Sequence, residues 1–272
     1  MPKTLISGKN IYYEVYGEGE PLVLLNGIMM STLSWKAFIN AFSKNNKLIL
    51  IDFIDQGQSD KSEKLYTHDL HVETIKGLLD YLHIKKVHLA GVSYGAAVAM
   101  KFALSHQNRL LTLSLANATS YTTYMLKDIG QSWINASKTY DGATFFKATI
   151  PTIYSVKFYE KNIEWLRNRE KLFSQVFTKE WYDGFIRLVK SAESLNITDE
   201  LYKIKVPTMI IGSEYDLVTP IDYQQEIYNG IENSRFTIIK DAGHASMYEK
   251  PHEFISIITG FISTYNEKLK IL

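Results

Sequence analysis

Short apolar runs recur along the chain, and several of them are separated by segments with helical periodicity. The runs are rich in residues that favour strands, and none alternates cleanly between apolar and polar positions, which is typical of strands buried on both faces. Each therefore predicts a strand inside a parallel sheet. The six runs are Leu22–Leu25, Leu48–Ile51, Val87–Ala90, Leu110–Leu115, Thr208–Ile211 and Phe236–Ile239.

The chain opens with a different pattern, in which two short strand-like stretches surround a turn. Lys3–Ile6 and Asn10–Tyr16 flank Ser7-Gly8-Lys9, and the second stretch alternates between apolar and polar residues. This arrangement predicts a β-hairpin.

Two later stretches place apolar residues on one side of a helix. The first has Val72, Ile75, Leu78, Leu79 and Leu82, and the second, after Pro251 at a first-turn position, has Phe254, Ile257, Ile258, Phe261 and Ile262. Such spacing indicates amphipathic helices. Strands that alternate with helices predict an α/β fold, with a mostly parallel twisted sheet and helices on both faces.

The alternation stops between about residues 118 and 201, where the pattern is mostly helical. This interval holds 15 of the 35 aromatic residues of the 272-residue chain, which is more than its share. The surplus predicts a helical lid whose apolar underside lines a substrate pocket, although rings can also serve as additional core. We therefore expect a core made of residues 1–117 and 202–272, with a lid inserted at 118–201.

Composition removes several classes of function. Cysteine is absent, which excludes disulfides, thiol nucleophiles and cysteine metal sites. The formal net charge of +1 gives no reason to expect a nucleic acid or an anionic membrane as a partner. No apolar run approaches the roughly 18 residues of a spanning helix, and the opening residues lack the apolar stretch of a signal peptide. We expect a cytoplasmic protein without an integral membrane segment.

A candidate nucleophile follows the third of the buried runs. Val87–Ala90 leads into Gly91-Val92-Ser93-Tyr94-Gly95, and Ala96–Met100 then has helical character. A serine on a sharp strand-to-helix turn projects its hydroxyl clear of the sheet, and the tight backbone there favours glycines such as Gly91 and Gly95. The sequence thus predicts a nucleophilic serine at position 93, although an ordinary strand-to-helix turn could also contain these small residues.

One of the seven histidines stands at a position suited to a catalytic base. His244 follows the strand-like Arg235–Ile239 in a loop, and loops at the carboxyl ends of parallel strands form the active face of such sheets. A neutral imidazole there can accept and return the proton of Ser93. The other histidines fall in or beside predicted helices and strands and are interpreted as surface or packing residues: His68, His71, His83, His88, His106 and His252.

The candidate acid lies in the loop after Thr208–Ile211. Asp216 could orient the imidazole and stabilise its protonated form, whereas a simple turn-forming role is the alternative. Glu214 is a rival acid two residues earlier, and Asp222 suits the first turn of a helix. The order serine, aspartate, histidine along the chain agrees with the order expected for this kind of nucleophile turn.

An oxyanion hole needs two backbone donors. The N–H of Tyr94, next after the serine, is one candidate, and the N–H of Ile28, in the loop Asn26-Gly27-Ile28-Met29, is the other. Gly27 would allow a close approach of the chain. A tight strand-to-helix turn without a catalytic role is the alternative for this loop.

Together these residues resemble the α/β-hydrolase superfamily over nearly the whole chain. The resemblance rests on the hairpin, the Asn26-Gly27 loop, the segment from Asp52 to Gly57-Gln58-Ser59, the Ser93 turn, the inserted helices, the Asp216 loop and Asp241-Ala242-Gly243-His244. Where the family usually has His-Gly, this chain has Asn26-Gly27. The resemblance implies a serine esterase or thioesterase fold with a Ser93–His244–Asp216 triad.

A more local likeness concerns residues 25–29 and 51–59. They are similar to the bacterial acyltransferases that make the hydroxyacyloxy-alkanoate lipid of rhamnolipids, whereas the Gly91 and Gly95 flanks of the serine depart from those enzymes. That resemblance implies transfer of hydroxyacyl groups from a thioester carrier.

Three hypotheses about function follow. The first is a carboxylesterase or thioesterase that acts on a small acyl ester or thioester through an acyl-enzyme, without a metal or an organic cofactor. The second is an acyltransferase in which a hydroxyl or thiol acceptor replaces water. The third is a non-catalytic or ligand-sensing relic of the fold. A serine at the predicted turn disfavours dehalogenase and epoxide hydrolase chemistry. The resemblance implies that enzymes of this fold with those activities have an aspartate at the same position. Fold alone does not choose among the remaining chemistries.

Overall fold

Eight strands form one sheet within residues 2–267, which are the residues that the computed structural model describes. The sheet has the spatial order β1-β2-β4-β3-β5-β6-β7-β8. The strands are β1 (Lys3–Ile6), β2 (Lys9–Tyr16), β3 (Glu20–Leu25), β4 (Asn46–Ile51), β5 (Val87–Val92), β6 (Leu110–Ala116), β7 (Thr208–Ser213) and β8 (Ser234–Ile239).

The strand directions agree with the sequence pattern. The predicted hairpin is confirmed, since β1 and β2 are antiparallel, and β2 is also antiparallel to β4. From β4 to β8 all neighbouring strands are parallel. Each of the six predicted apolar runs lies within one of these parallel strands. The prediction of a mostly parallel sheet is therefore confirmed.

Alternate residues of the central strands supply two separate cores. Val23 and Leu25 join the core on one face of the sheet, whereas Leu22 and Leu24 join the core on the opposite face. This division follows from the two-residue repeat of a strand, which sends successive side chains to opposite faces.

Helices cover both faces, as predicted. The first core contains buried residues of α2, α3 and α9, and the second contains residues of α1, α10 and α11. These helices are α1 (Ile39–Ser43), α2 (Asp69–Tyr81), α3 (Tyr94–His106), α9 (Ile221–Gly230), α10 (Ser246–Glu249) and α11 (Pro251–Thr264).

Five helices between β6 and β7 form what we call the helical segment, residues 124–192. They are α4 (Tyr124–Ser137), α5 (Gly142–Thr149), α6 (Val156–Lys161), α7 (Ile163–Val176) and α8 (Lys179–Ala192). The chain enters and leaves this segment at one place, where Tyr121 forms an antiparallel bridge with Asn196. The segment has a core of its own, built largely from aromatic residues.

Among residues 2–267, no helix is long and apolar enough to cross a membrane.

Candidate active site

The sheet topology brings the predicted site residues to one edge. β3, β5, β6, β7 and β8 are consecutive parallel neighbours, so the loops at their carboxyl ends lie side by side. The order of the strands reverses around β3 and β5, and such a reversal opens a crevice beyond the strand ends. The residues predicted to bind and cleave the substrate stand in these loops.

Ser93 occupies a strained turn between β5 and α3. Its φ is 52° and its ψ is −115°, a conformation that non-glycine residues rarely adopt and that typically occurs at functional sites. A Cβ at Gly91 would lie 2.4 Å from the carbonyl oxygen of Gly95, and a Cβ at Gly95 would lie 2.6 Å from that of Asn26. The two predicted glycines are thus required by close backbone contacts on both sides of the serine.

The loop after β8 places His244 against Ser93. The Nε2 atom of His244 lies 2.8 Å from the Oγ atom of Ser93, and the imidazole is almost completely buried. Among the described residues, no other histidine forms a hydrogen bond with Ser93. His88 contacts Thr112 and Glu20, whereas His68 and His71 are buried beside Tyr94.

The opposite nitrogen of His244 contacts Asp216. Nδ1 lies 2.8 Å from Oδ2 of Asp216, whose carboxylate also accepts the backbone N–H groups of Val218 and Thr219 at 2.8 Å. Burial by itself raises the pKa of Asp216, but the facing His244 and these hydrogen bonds outweigh burial and hold the pKa below its ordinary value. An ionised Asp216 requires the proton on Nδ1, which leaves Nε2 free to accept the proton of Ser93.

The rival acid points elsewhere. Glu214 accepts a hydrogen bond from the backbone N–H of Asp241 at 2.9 Å and lies 3.4 Å from the Nζ atom of Lys240. These contacts, the Asp241 hydrogen bond first, lower the pKa of Glu214. Asp222 lies in the first turn of α9, as the sequence indicated. Of the three candidate acids, the one in contact with His244 is Asp216.

Two residues at this site carried no signal in the sequence. Asn117 follows β6, and its Nδ2 donates to Oδ2 of Asp216 at 2.7 Å and to Ser213 at 2.8 Å. Thr219 donates its hydroxyl to the same carboxylate at 2.9 Å and lies 3.3 Å from His244 Nδ1. Neither belongs to a sequence motif. Asn117 has a φ of 51°, and such a left-handed conformation is uncommon for a residue other than glycine.

A network of amide groups supports the loop after β3. The side chain of Asn26 donates to the carbonyl oxygen of Ile51 at 2.8 Å and accepts the indole N–H of Trp35 at 2.7 Å. Gln56 donates to the carbonyl oxygens of Gly27 and Ile28 at 2.9 and 3.3 Å. The asparagine that replaces the usual histidine is therefore a fully bonded, buried support of this loop.

The residues of the two predicted oxyanion donors line the same cavity as Ser93. Within residues 2–267 no group accepts a hydrogen bond from the backbone N–H of Ile28 or Tyr94. Gly27 is less constrained than expected, because a Cβ there would lie 3.1 Å from the flexible Met30 side chain and at an ordinary contact distance of 3.7 Å from the carbonyl oxygen of Val92.

The cavity beside Ser93 and His244 has a volume of about 200 Å³. The helical segment contributes much of its wall, mostly as aliphatic side chains such as Leu126, Ile129 and Ile150. Only three of the 15 rings within 118–201 line it, namely Trp133, Tyr154 and Phe173. Most of the aromatic surplus is therefore core, and the expectation that it faces the cleft is wrong in this respect.

Many of the other rings pack against one another inside the segment. Phe177 and Trp181 stack with their centroids 3.6 Å apart, and Trp181 stacks on Phe185 at 5.5 Å. Phe145 meets Phe185 edge to face at 5.1 Å. Five short helices need such a core, because a single helix face gives too little buried area to hold them together.

The chain was compared with known proteins. The family model for the α/β-hydrolase fold matches residues 20–251. The solved structure of MGS-M2, an α/β-hydrolase enzyme from a Medee basin deep-sea metagenome library, is 40% identical, covers 99% of this chain and 100% of its own, and superposes with a TM-score of 0.96.

Two curated relatives show how varied the similar enzymes are. The 3-oxoadipate enol-lactonase 1 of Acinetobacter baylyi is 26% identical, with 94% of both chains covered. The proline iminopeptidase of Saccharolobus solfataricus is 27% identical, with 94% of this chain and 90% of the relative covered. The fold, the strained serine turn and a family match over most of the sequence lead to one conclusion: the chain belongs to the α/β-hydrolase family.

Proposed function

We propose that the protein is a serine hydrolase that cleaves a carboxylic ester or thioester, with Ser93, His244 and Asp216 as its catalytic triad. The observation that carries this proposal is the pair of 2.8 Å contacts that joins Ser93 Oγ to His244 Nε2 and His244 Nδ1 to Asp216. All the groups needed to activate a hydroxyl nucleophile are thereby within hydrogen-bond distance. Ser93 and His244 also line the cavity that would admit the substrate.

The proposed reaction has two halves. Ser93 Oγ attacks the carbonyl carbon while His244 Nε2 accepts its proton, and His244 then donates that proton to the leaving oxygen or sulfur. This step breaks the ester bond and leaves the acyl group on Ser93. In the second half His244 deprotonates a water molecule, which attacks the acyl carbonyl and releases the acid and free Ser93. Asp216 stabilises the imidazolium in both halves.

The charge that develops on the carbonyl oxygen needs donors that are already in place. We assign this role to the backbone N–H groups of Ile28 and Tyr94, which have no acceptor within residues 2–267 and belong to residues that line the cavity together with Ser93. Gln56 supports the first donor, because its bonds to the carbonyl oxygens of Gly27 and Ile28 fix the orientation of those peptide units. Donors held in this way are typically worth about a hundredfold or more in rate.

The inserted residues 118–201 are proposed as a lid. The helical segment forms a wall of the cavity from aliphatic side chains and the three rings of Trp133, Tyr154 and Phe173, which suits an acyl group with an apolar part. Water would be largely excluded from such a site, and electrostatic stabilisation is stronger there than in bulk solvent.

Hydrolysis is proposed in preference to acyl transfer. Both use the same acyl-enzyme and differ only in the acceptor. The relatives named as a lactonase and a peptidase are hydrolases, and they support water as that acceptor.

The test compares ester and thioester hydrolysis by the wild type and by Ser93→Ala. Turnover of p-nitrophenyl butyrate, or of butyryl-CoA, should fall by several orders of magnitude in the variant. Ser34→Ala is the matched control, because Ser34 lines the same cavity without contacting His244. Full activity in purified Ser93→Ala would refute the proposal. If a hydroxyacyl acceptor is added to the wild type and the acyl group appears on that acceptor and not as free acid, the result would favour acyl transfer.

A further inference from the structure

The cavity beside Ser93 is lined by a cation that has no counter-ion among residues 2–267. Arg169 lies on α7, is half-buried, and lines the same cavity as Ser93 and His244. Its guanidinium carbon lies 4.8 Å from the ring centroid of Trp165 and 5.8 Å from that of Phe173. These two rings, one turn before and one turn after on the same helix, restrict the position of the guanidinium.

No group within residues 2–267 forms an ion pair or a side-chain hydrogen bond with Arg169. Its neighbour Arg167 is more exposed and pairs with Glu170 at 2.8 Å. Glu249 interacts electrostatically with Tyr154, as Arg169 does, but its carboxylate accepts hydrogen bonds from the backbone N–H groups of Gly243 and Ser155 and from the Ser155 hydroxyl. A half-buried guanidinium that finds no acceptor within residues 2–267 is partly desolvated without compensation, and an anion in the cavity would relieve that state.

The surroundings of Arg169 suit a carboxylate in particular. A guanidinium that lies against aromatic rings keeps its N–H edge available, and that planar edge matches the two oxygens of a carboxylate. Tyr154 adds a hydroxyl to the same cavity, and burial raises its pKa, so that it stays a protonated donor. The other charged side chains of the cavity wall, Lys127 and Glu193, are exposed.

We propose that Arg169 binds a carboxylate of the substrate, and that the preferred substrates are esters or thioesters which carry a carboxylate in addition to the bond that is cleaved. The proposal rests on the proposed function, because it assigns a second contact to the substrate of Ser93. The aliphatic wall would contact the carbon chain between the two groups, and Arg169 would determine specificity without taking part in bond cleavage.

The experiment measures kcat/KM for anionic and neutral esters of similar size. One arm places the carboxylate on the acyl side, with mono-p-nitrophenyl succinate, glutarate and adipate against p-nitrophenyl hexanoate. The other arm places it on the alcohol side, with 4-acetoxybenzoate against 4-acetoxybenzamide. The wild type should prefer the anionic member in at least one arm.

Arg169→Met is the decisive variant, because methionine keeps an unbranched apolar stem between the two rings and removes the charge. It should lower kcat/KM for the preferred anionic ester by about tenfold to a hundredfold, the usual effect of one hydrogen-bonded charge. Its activity on the neutral ester should stay within about threefold of the wild type. Arg169→Lys should keep part of the preference, and Arg167→Met, on the same helix, should keep all of it.

Inhibition by glutarate provides a second test. Glutarate should inhibit hydrolysis of the neutral ester by the wild type competitively, and the inhibition should be lost in Arg169→Met. Equal losses on neutral and anionic esters in Arg169→Met, or a wild type that prefers the neutral ester in both arms, would overturn the proposal. Hydrolysis of the neutral ester that depends on Ser93 would still support the proposed function in that case, so the two failures are distinguishable.

Discussion

Asp216 shows how the surroundings of a single residue set its chemistry. Five donors converge on its carboxylate, from the side chains of Asn117, Thr219 and His244 and from two backbone N–H groups. Burial opposes ionisation, and the donors overcome it, so that the pKa of Asp216 lies below its ordinary value. Hydrogen bonds to a charged group stabilise more than bonds between neutral groups do. The carboxylate is thereby held ionised and in a fixed orientation toward His244.

Replacing this carboxylate should be far more damaging than replacing its rival. Asp216→Asn should lower kcat by about a thousandfold or more, because the amide no longer fixes the tautomer of His244 or stabilises its protonated form. Glu214→Gln should change kcat by no more than about threefold, since Glu214 contacts Asp241 and Lys240 on the surface. Steady-state kinetics with one ester tests both variants. The opposite ranking would assign the acid to Glu214.

At the residue scale the sequence located the groups that belong to motifs and missed those that do not. Ser93 stands in a glycine-flanked turn, and Asp216 and His244 stand in loops after apolar runs, so their positions at the strand ends could be predicted. Asn117 and Gln56 are single polar residues that act through contacts distant in sequence, with Asp216 and with Gly27. Such pairings depend on the tertiary fold, and a local pattern does not encode them.

At the scale of elements, the helical segment is bound to the core by more than its chain connections. Arg187 on α8 forms two hydrogen bonds, at 2.6 and 3.0 Å, with the carboxylate of Asp55 in the loop after β4. Asp55 is fully buried and also accepts the hydroxyl of Tyr66 at 2.8 Å.

The aromatic composition of residues 118–201 predicted an inserted helical segment, but it could not show whether the rings face a cavity or one another. Both arrangements remove apolar area from water, so composition alone does not distinguish them.

The aliphatic wall of the cavity predicts a preference among neutral acyl chains. Each methylene that becomes buried contributes about 0.8 kcal/mol, or roughly fourfold in kcat/KM if the contact persists in the transition state. kcat/KM should therefore rise from p-nitrophenyl acetate to the hexanoate. Ile129→Phe, which adds bulk to the wall, should move the optimum to shorter chains, and the neighbouring Asp128→Asn should not. A series that peaks at acetate would contradict an apolar acyl site.

At the scale of the whole molecule, the buried histidines beside Tyr94 have a consequence for stability. His71 is completely buried and stacks on Phe53 at 4.5 Å, and among residues 2–267 neither of its ring nitrogens has a partner. Burial lowers the pKa of His71 well below its ordinary value, and burial, aided by Lys101, lowers the pKa of His68 to about 3. The folded protein thus keeps both rings neutral under conditions in which the unfolded chain binds protons.

The pH dependence of stability follows from this difference. Below the unfolded pKa of about 6.5, the unfolded state binds more protons, so the free energy of unfolding falls as the pH falls. For His71 alone the loss from pH 7 to pH 5 should be about 2 kcal/mol. Urea denaturation at both pH values should show a smaller loss in His71→Phe than in the wild type. The exposed His83→Gln is the control, and equal losses in all three proteins would contradict a neutral, buried His71.

The fold was more predictable than the details of the site. Buried strands such as β3 and β7 contain short, mostly apolar runs that the sequence pattern detects. The alternation of strands and helices then restricts the topology to a parallel-centred sheet. The same topology brings the loops after β3, β5, β7 and β8 to one edge. What the pattern leaves open is the space between those loops, because a charged residue such as Arg169 has the same appearance in sequence whether it faces solvent or substrate.

Covalent labelling of Ser93 tests the central claim most directly. The protein should be treated with an alkyl fluorophosphonate, which phosphonylates an activated serine with loss of fluoride, and then examined by intact mass and peptide mapping. The account predicts one adduct per chain, located at Ser93, and no adduct in Ser93→Ala. Labelling of His244→Ala should be much slower than that of the wild type, because the serine hydroxyl loses its base. An adduct on a residue other than Ser93, or no adduct on a folded wild-type protein, would contradict the account.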